Sequence, residues 1–178
     1  KNKNLFYSLK LEKKIKLKLF DIRNKKKLES FVKTSKPIIV FHLAAQPLIL
    51  ESYKKPYLTY TVNSLGTLNI LETVKNNNTI KSLVCITSDK CYLNDGRKIS
   101  YSENDILGGE DLYSASKACA ELTFEAYYKS FLFKNKKLSF ATTRAGNVIG
   151  GGDMKKDRIV PDVIKSLNNR TELTIRNP

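Results

Sequence analysis

Two short apolar runs, Pro37-Ile-Ile-Val-Phe-His-Leu43 and Ser82-Leu-Val-Cys-Ile-Thr87, constrain the fold of this chain more than any other feature. Each is continuous rather than alternating, rich in β-branched residues and too short for a helix. Such runs belong to strands buried on both faces, as in a parallel sheet covered by helices on each side. Between them, residues 56–75 carry Leu58, Val62, Leu65, Leu68 and Leu71 at near-helical intervals, and Asn76-Asn-Asn78 ends the pattern. The second run leads into a polar loop over 93–111. A long helix over 112–133 follows, with Ala115, Ala118, Leu122 and Ala126 along one side, and then a strand at Leu138-Ser-Phe-Ala-Thr-Thr143. Alternation of this kind predicts an α/β domain with a doubly wound parallel sheet.

The flanking segments carry weaker signals. Residues 5–12 are weakly helical. Lys14-Ile-Lys-Leu-Lys-Leu-Phe20 alternates strictly, which predicts a strand with one polar face ending at Asp21. Leu28, Phe31 and Val32 suggest a short helix, 157–168 a further helix, and Leu173-Thr-Ile-Arg176 a last short strand.

Composition narrows the function classes. The length suits one domain, and 41% apolar residues suffice for a core. No run approaches the roughly 18 apolar residues of a membrane span. A net charge of +15 invites a nucleic-acid reading. Its lysines, however, are scattered through every segment and travel with many asparagines, while arginine, which specific phosphate and base contacts favour, is scarce. No nucleic-acid partner is therefore expected. Cys85, Cys91 and Cys119 are odd in number without metal-type spacing, and His42 is the only histidine, so no metal site is expected. A reducing, cytoplasmic compartment fits best.

In open parallel sheets, ligands bind beyond the carboxyl ends of the strands. Asp21, Leu43-Ala-Ala-Gln46, Ser88-Asp-Lys90 and Gly146-Asn147 all fall at predicted strand ends. Beyond them, Tyr113 and Lys117 are four apart on a predicted helix and share a face. A nearby ammonium favours the phenolate, which makes a tyrosine a usable general base near neutral pH. A chain this rich in tyrosine and lysine produces one such pair by chance, so the pair takes its weight from the strand and the hydroxyl of Ser88 before it.

Several segments together resemble the extended short-chain dehydrogenase/reductase superfamily. They are Phe41-His-Leu-Ala-Ala-Gln-Pro47, Val62-Asn-Ser-Leu-Gly-Thr67, Thr87-Ser-Asp-Lys-Cys-Tyr92, Gly108-Gly109 ahead of Tyr113-Ser-Ala-Ser-Lys117, Arg144-Ala-Gly-Asn-Val-Ile-Gly-Gly-Gly-Asp153 and Asp157-Arg-Ile-Val-Pro-Asp162. Within that superfamily they are most similar to the nucleotide-sugar 4,6-dehydratases of the CDP-glucose branch. The resemblance implies NAD as cofactor, held by Asp21 and Ile22 at the adenine, by Leu43, Ala44, Ala45 and Gln46 along its length, and by Tyr113 and Lys117. Asn63 would brace the site. Ser88 and Tyr113 would hold the sugar 4-hydroxyl, and Asn147 and Arg158 would face the nucleotide diphosphate. Asp89, kept protonated in apolar surroundings, would give its proton to the departing 6-hydroxyl. Lys90 stands where the dTDP-glucose branch has a glutamate that takes the C5 proton. The resemblance also implies a homodimer or higher homo-oligomer through helices 56–75 and 112–133, and a place in deoxysugar biosynthesis for lipopolysaccharide.

Other readings of these residues stay open. Asp89 also fits a helix or turn cap, Lys90 a solvated surface lysine and Arg158 a plain surface charge. An epimerase of the same superfamily or a non-catalytic remnant that binds a partner remains an alternative for the whole. The chain also departs from the pattern: the glycine-rich dinucleotide fingerprint is absent from this sequence, and Leu50 stands where a basic residue is expected. The expectation is a Rossmann-like domain over 1–150, lacking its first βαβ unit, followed by the start of a nucleotide-sugar lobe over 151–178. Taken alone, such a fragment is expected neither to hold NAD tightly nor to turn over substrate.

Overall fold

A computed structural model describes residues 5–134, 138–155 and 157–175. They form two compact units, one of residues 20–146 and one drawn from 1–19 and 147–178.

The larger unit is built on a parallel sheet in the order β1-β2-β3: β1 is Ile39–His42, β2 Ser82–Ile86 and β3 Ser139–Thr143. The register pairs His42 with Cys85 and Cys85 with Thr142, so the three strands stop at one level and their following residues share one edge. The predicted parallel α/β class is what the structure shows. Helix α2 spans Lys25–Ser35, α3 Ile49–Lys54, α4 Pro56–Tyr60, α5 Gly66–Lys75 and α6 Leu112–Tyr127. Two five-residue π turns interrupt the helices that the sequence reads as continuous, one at Thr61–Leu65 and one at Tyr128–Leu132. Caps fix the starts: Asn24 accepts from the Lys27 N–H at 3.1 Å, and Asp111 accepts from Ser114 N–H at 3.0 Å and from Ser114 Oγ at 2.6 Å.

Leu28 and Val32 of α2, Ile70, Leu71 and Val74 of α5, Leu83 and Cys85 of β2, and Tyr127 and Leu132 meet in one core. Burial on both faces of the first strand is not what forms. Ile39 and Phe41 are 53% and 63% exposed, because β1 is an edge of the described sheet and nothing described covers that face.

Residues 14–20 form no strand despite their alternation. A single alternating segment cannot satisfy its backbone groups without a neighbour, and no strand lies beside it among the described residues. The smaller unit contains α1 (Leu5–Ser8), a 3₁₀ turn at Leu11–Lys13 and α7 (Ile159–Asn169). The last predicted strand is absent over 173–175 for the same reason, and Arg176 lies outside the described residues.

Leu83 is fully buried in the central strand whereas Ile38 is 64% exposed. Leu83→Ala is expected to lower the unfolding free energy by about 3 kcal/mol, and Ile38→Ala by under about 1 kcal/mol, in urea titrations. Equal losses at the two positions would contradict this core.

Candidate active site

The residues that follow the three strands are tied together by side-chain amides and hydroxyls. Beyond β1, Gln46 donates its backbone N–H to Asn63 Oδ1 at 2.8 Å and accepts from Asn63 Nδ2 at 3.1 Å through its carbonyl. The same Nδ2 donates to Ser116 Oγ at 2.8 Å, and Ser116 Oγ donates to the Tyr113 carbonyl at 2.7 Å. Asn63, 2% exposed, therefore fastens the Leu43–Gln46 segment to the first turn of α6. It sits at the centre of the Thr61–Leu65 π turn, whose extra residue re-aims side chains within a helix. Leu43 and Ala44 are exposed, and Ala45 and Gln46 half-buried, which leaves this stretch open to a ligand.

Ser88 ends the second strand's run. Its Oγ accepts from the Lys90 N–H at 3.2 Å and donates to Asp89 Oδ1 at 3.0 Å, starting the Asp89–Cys91 3₁₀ turn. The cap is thus Ser88 and not Asp89. Helix α6 packs on this turn. Tyr113 and Lys117, on one face of α6, are buried, and Lys117 Nζ donates to the Ile86 carbonyl at 3.3 Å. Burial pushes the Lys117 ammonium below its ordinary pKa. Gly109 enters this corner at close quarters: an added Cβ would lie 2.5 Å from the Ala115 nitrogen.

Asp89 and Lys90 are exposed. Asp89 lines an open cleft of about 430 Å³ with Tyr92, Tyr101, Glu103 and Arg144. The apolar surroundings expected for a protonated Asp89 are not formed by the described residues; the cleft walls are aromatic and charged. Tyr92 and Tyr101 stack at 4.8 Å between two guanidinium groups, Arg144 over Tyr92 at 4.9 Å and Arg97 over Tyr101 at 4.1 Å.

Asp21 and Ile22 are held against the helical stretch that carries Asn63. Arg23 clasps Asp21 at 2.6 Å and donates to Thr61 Oγ1 at 3.2 Å, while Asn69 Nδ2 donates to the Ile22 carbonyl at 3.1 Å. The guanidinium holds the Asp21 carboxyl down at about 2. Gly66 keeps room for Ile22, whose Cγ2 would be 3.0 Å from an added Cβ. Asn147 and Arg158 belong to the smaller unit, where Asn147 is exposed and Arg158 Nη1 pairs with Asp153 at 3.0 Å.

Sequence reasoning passed over four residues of this corner. Ser116, Thr67 and Arg144 stand in the sequence only as parts of longer segments, and Glu121 is not singled out. All but Arg144 are buried; Thr67, Glu121 and Arg144 join a strand end to a helix, and Ser116 ties α6 to the turn that carries Asn63. A signal was present for Glu121, which continues the four-residue spacing of Tyr113 and Lys117.

His42 adds a titrating group. Its Nε2 lies 3.1 Å from Thr67 Oγ1, and Thr67 donates its single proton to the Asn63 carbonyl at 2.7 Å. Thr67 must then accept from His42, which puts the proton of a neutral imidazole on Nε2. Burial, then the charge of Lys117, lowers the His42 pKa from 6.5 to about 4. The unfolded chain binds this proton as pH falls through 6.5, the folded chain only near 4, so stability is full above the first value and is lost toward the second. The loss is expected to reach about 3 kcal/mol. Urea midpoints measured between those limits should fall with pH in the natural chain and flatten in His42→Gln; parallel slopes would contradict the assignment.

A family model described as GDP-mannose 4,6 dehydratase matches residues 2–169. The chain is 46% identical to CDP-glucose 4,6-dehydratase of Salmonella typhimurium over 98% of its own length and 50% of that protein. It superposes on dTDP-glucose 4,6-dehydratase from Bacillus anthracis, solved in complex with NAD, with TM-score 0.70 and 27% identity over 86% of this chain and 44% of that one. UDP-glucuronic acid 4-epimerase from Bacillus cereus shares the fold at TM-score 0.79 and 23% identity, over 96% of this chain and 51% of that one. The chain spans about half the length of the first of these relatives. With its parallel strand ends and Tyr113–Lys117 helix already in place, the match over residues 2–169 shows that the chain belongs to the GDP-mannose 4,6 dehydratase family.

Proposed function

We propose that the polypeptide carrying this chain is an NAD-dependent nucleotide-sugar 4,6-dehydratase that converts CDP-glucose to CDP-4-keto-6-deoxyglucose. The observation that carries this reading is the packing of the buried Tyr113 and Lys117 face of α6 against the turn that Ser88 opens. The 46% identity to a CDP-glucose 4,6-dehydratase supports the choice of substrate.

The residues present fit the cofactor. Small side chains at Ala44 and Ala45 leave the main chain approachable, the Asn63 fork keeps Gln46 in place, and Asp21 offers an ionised carboxylate. Bound NAD supplies the hydride acceptor for C4 and the donor for C6, so it is regenerated within one turnover.

The chain's own residues handle protons and position. Tyr113 takes the proton of the sugar 4-hydroxyl, helped by the ammonium of Lys117, and Ser88 holds the same hydroxyl. The 4-ketone acidifies the C5–H, and water leaves across C5 and C6. Asp89 gives its proton to the departing 6-hydroxyl, and closure of the cleft by substrate supplies the desolvation this acid needs. Lys90 stands where the dTDP-glucose branch has the glutamate that takes the C5 proton. Asn147 and Arg158 meet the diphosphate. Within the expected bounds of 1–150, the compact unit of residues 20–146 would carry the cofactor, and 151–178 would begin the sugar-nucleotide lobe.

The uncovered face of β1, with Ile39 and Phe41 exposed, suits packing against further elements of the polypeptide. Exposed Tyr57, Tyr60, Leu65 and Leu122 lie along the helical stretches 56–75 and 112–133 and suit a homodimer or higher homo-oligomer through them. Three free cysteines suit a cytoplasmic enzyme. Among the described residues no helix is long and apolar enough to cross a membrane. Such a product suits a role in deoxysugar supply for lipopolysaccharide.

The full polypeptide, given CDP-, dTDP- and GDP-sugars in parallel, is expected to form a 4-keto-6-deoxy product fastest from CDP-glucose. Tyr113→Phe should lower kcat by about 10²- to 10⁴-fold. A product epimerised at C4 with its 6-hydroxyl retained would favour the epimerase reading, and undiminished turnover by Tyr113→Phe would refute the assigned base.

A further inference from the structure

Glu121 takes no part in the chemistry above, yet its surroundings differ from those of an ordinary helix residue. It follows Tyr113 and Lys117 at the same four-residue spacing, so the three share one face of α6. Its side chain is 4% exposed. Oε1 accepts a short hydrogen bond from Thr87 Oγ1; Oε2 accepts from Thr142 Oγ1 at 3.0 Å and from Arg144 Nη2 at 3.0 Å. One carboxylate thus gathers donors from the ends of two adjacent strands.

Both branches lead to the candidate site. Thr87 is the residue before Ser88. Arg144 covers the Tyr92 ring and donates to the Glu103 carbonyl at 3.0 Å, and these are walls of the cleft that Asp89 lines. Removing an ionised carboxylate from water is costly, and a core of packed aliphatic side chains would serve stability as well or better. A charge kept here in spite of that cost calls for a role that apolar packing cannot fill.

We propose that Glu121 is a positioning residue: through Thr87 it sets Ser88 against the Tyr113–Lys117 face, and through Arg144 it holds Tyr92 and Glu103 opposite Asp89. The catalytic consequence rests on the dehydratase reading; the positional one does not.

The experiment uses the full polypeptide with Glu121→Gln and with the paired apolar replacement Glu121→Leu/Arg144→Met. The paired variant is expected to regain thermal stability that Glu121→Gln loses, since removing both members strands no buried charge. It should still show kcat about 10- to 100-fold below the natural enzyme, with KM for the nucleotide sugar within about twofold. If Glu121→Gln does not fold, the paired variant alone decides. Recovery of the natural kcat together with stability would overturn the proposal and leave a merely structural ion pair.

Hydrogen exchange gives a readout independent of turnover. The amides of Thr87 and Asp89, bonded to the Thr143 and Ala145 carbonyls at 2.9 Å and 3.0 Å, should exchange faster in the paired variant while α5 amides keep their protection. Unchanged exchange at Thr87 and Asp89 would also overturn it. A natural polypeptide that dehydrates no nucleotide sugar would refute the proposed function, and the exchange measurement would then decide the positional claim by itself.

Discussion

The side-chain amide of Asn63 joins three elements: the segment after β1, the Thr61–Leu65 turn and α6. Its oxygen and nitrogen hold both backbone groups of Gln46, and the remaining N–H reaches Ser116 on α6. A buried amide with every partner in place stabilises its neighbours, whereas the same amide with one partner missing costs about 1–3 kcal/mol. This amide sits at the centre of the Thr61–Leu65 π turn. Irregular helix turns of this type recur at functional sites, and this one places an anchor beside the Leu43–Gln46 segment.

Around that anchor the chain buries its histidine, one lysine and one glutamate toward the carboxyl ends of the sheet. His42, Lys117 and Glu121 are each under 10% exposed, and each is compensated: His42 by Thr67, Lys117 by the Ile86 carbonyl, Glu121 by two threonines and an arginine. The opposite part of the core, around Leu71, Val74 and Leu83, is apolar. The sheet thus separates a region that supplies stability from one that supplies chemistry, as open parallel sheets do generally.

The first two strands were readable because continuous β-branched runs have few alternatives, and β3 from its place after the long helix. The long helices were readable as helical but not as interrupted, since a π turn inserts one residue without any composition signal at Thr61–Leu65 or Tyr128–Leu132. Helix α3 escaped because Ile49–Lys54 is too short to show a period. The alternation over 14–20 misled because pattern specifies only which face is apolar, and a strand also needs a partner edge. At the site, Ser88, Tyr113, Lys117 and Asn63 were legible from spacing and resemblance. Ser116, Thr67 and Glu121 were not, since a buried hydroxyl or carboxylate on a helix has the same letters as an exposed one, and only the neighbouring strand ends distinguish them.

The Ser88 hydroxyl and the Tyr113 phenol are proposed to meet at one hydroxyl of a hexose. A crystal structure of the full polypeptide with NAD and an unreactive CDP-glucose analogue tests it most directly. Both oxygens are expected within about 3 Å of the sugar 4-oxygen, with Asp89 facing C6. A hexose bound with its 4-oxygen beyond hydrogen-bond reach of either residue would contradict it.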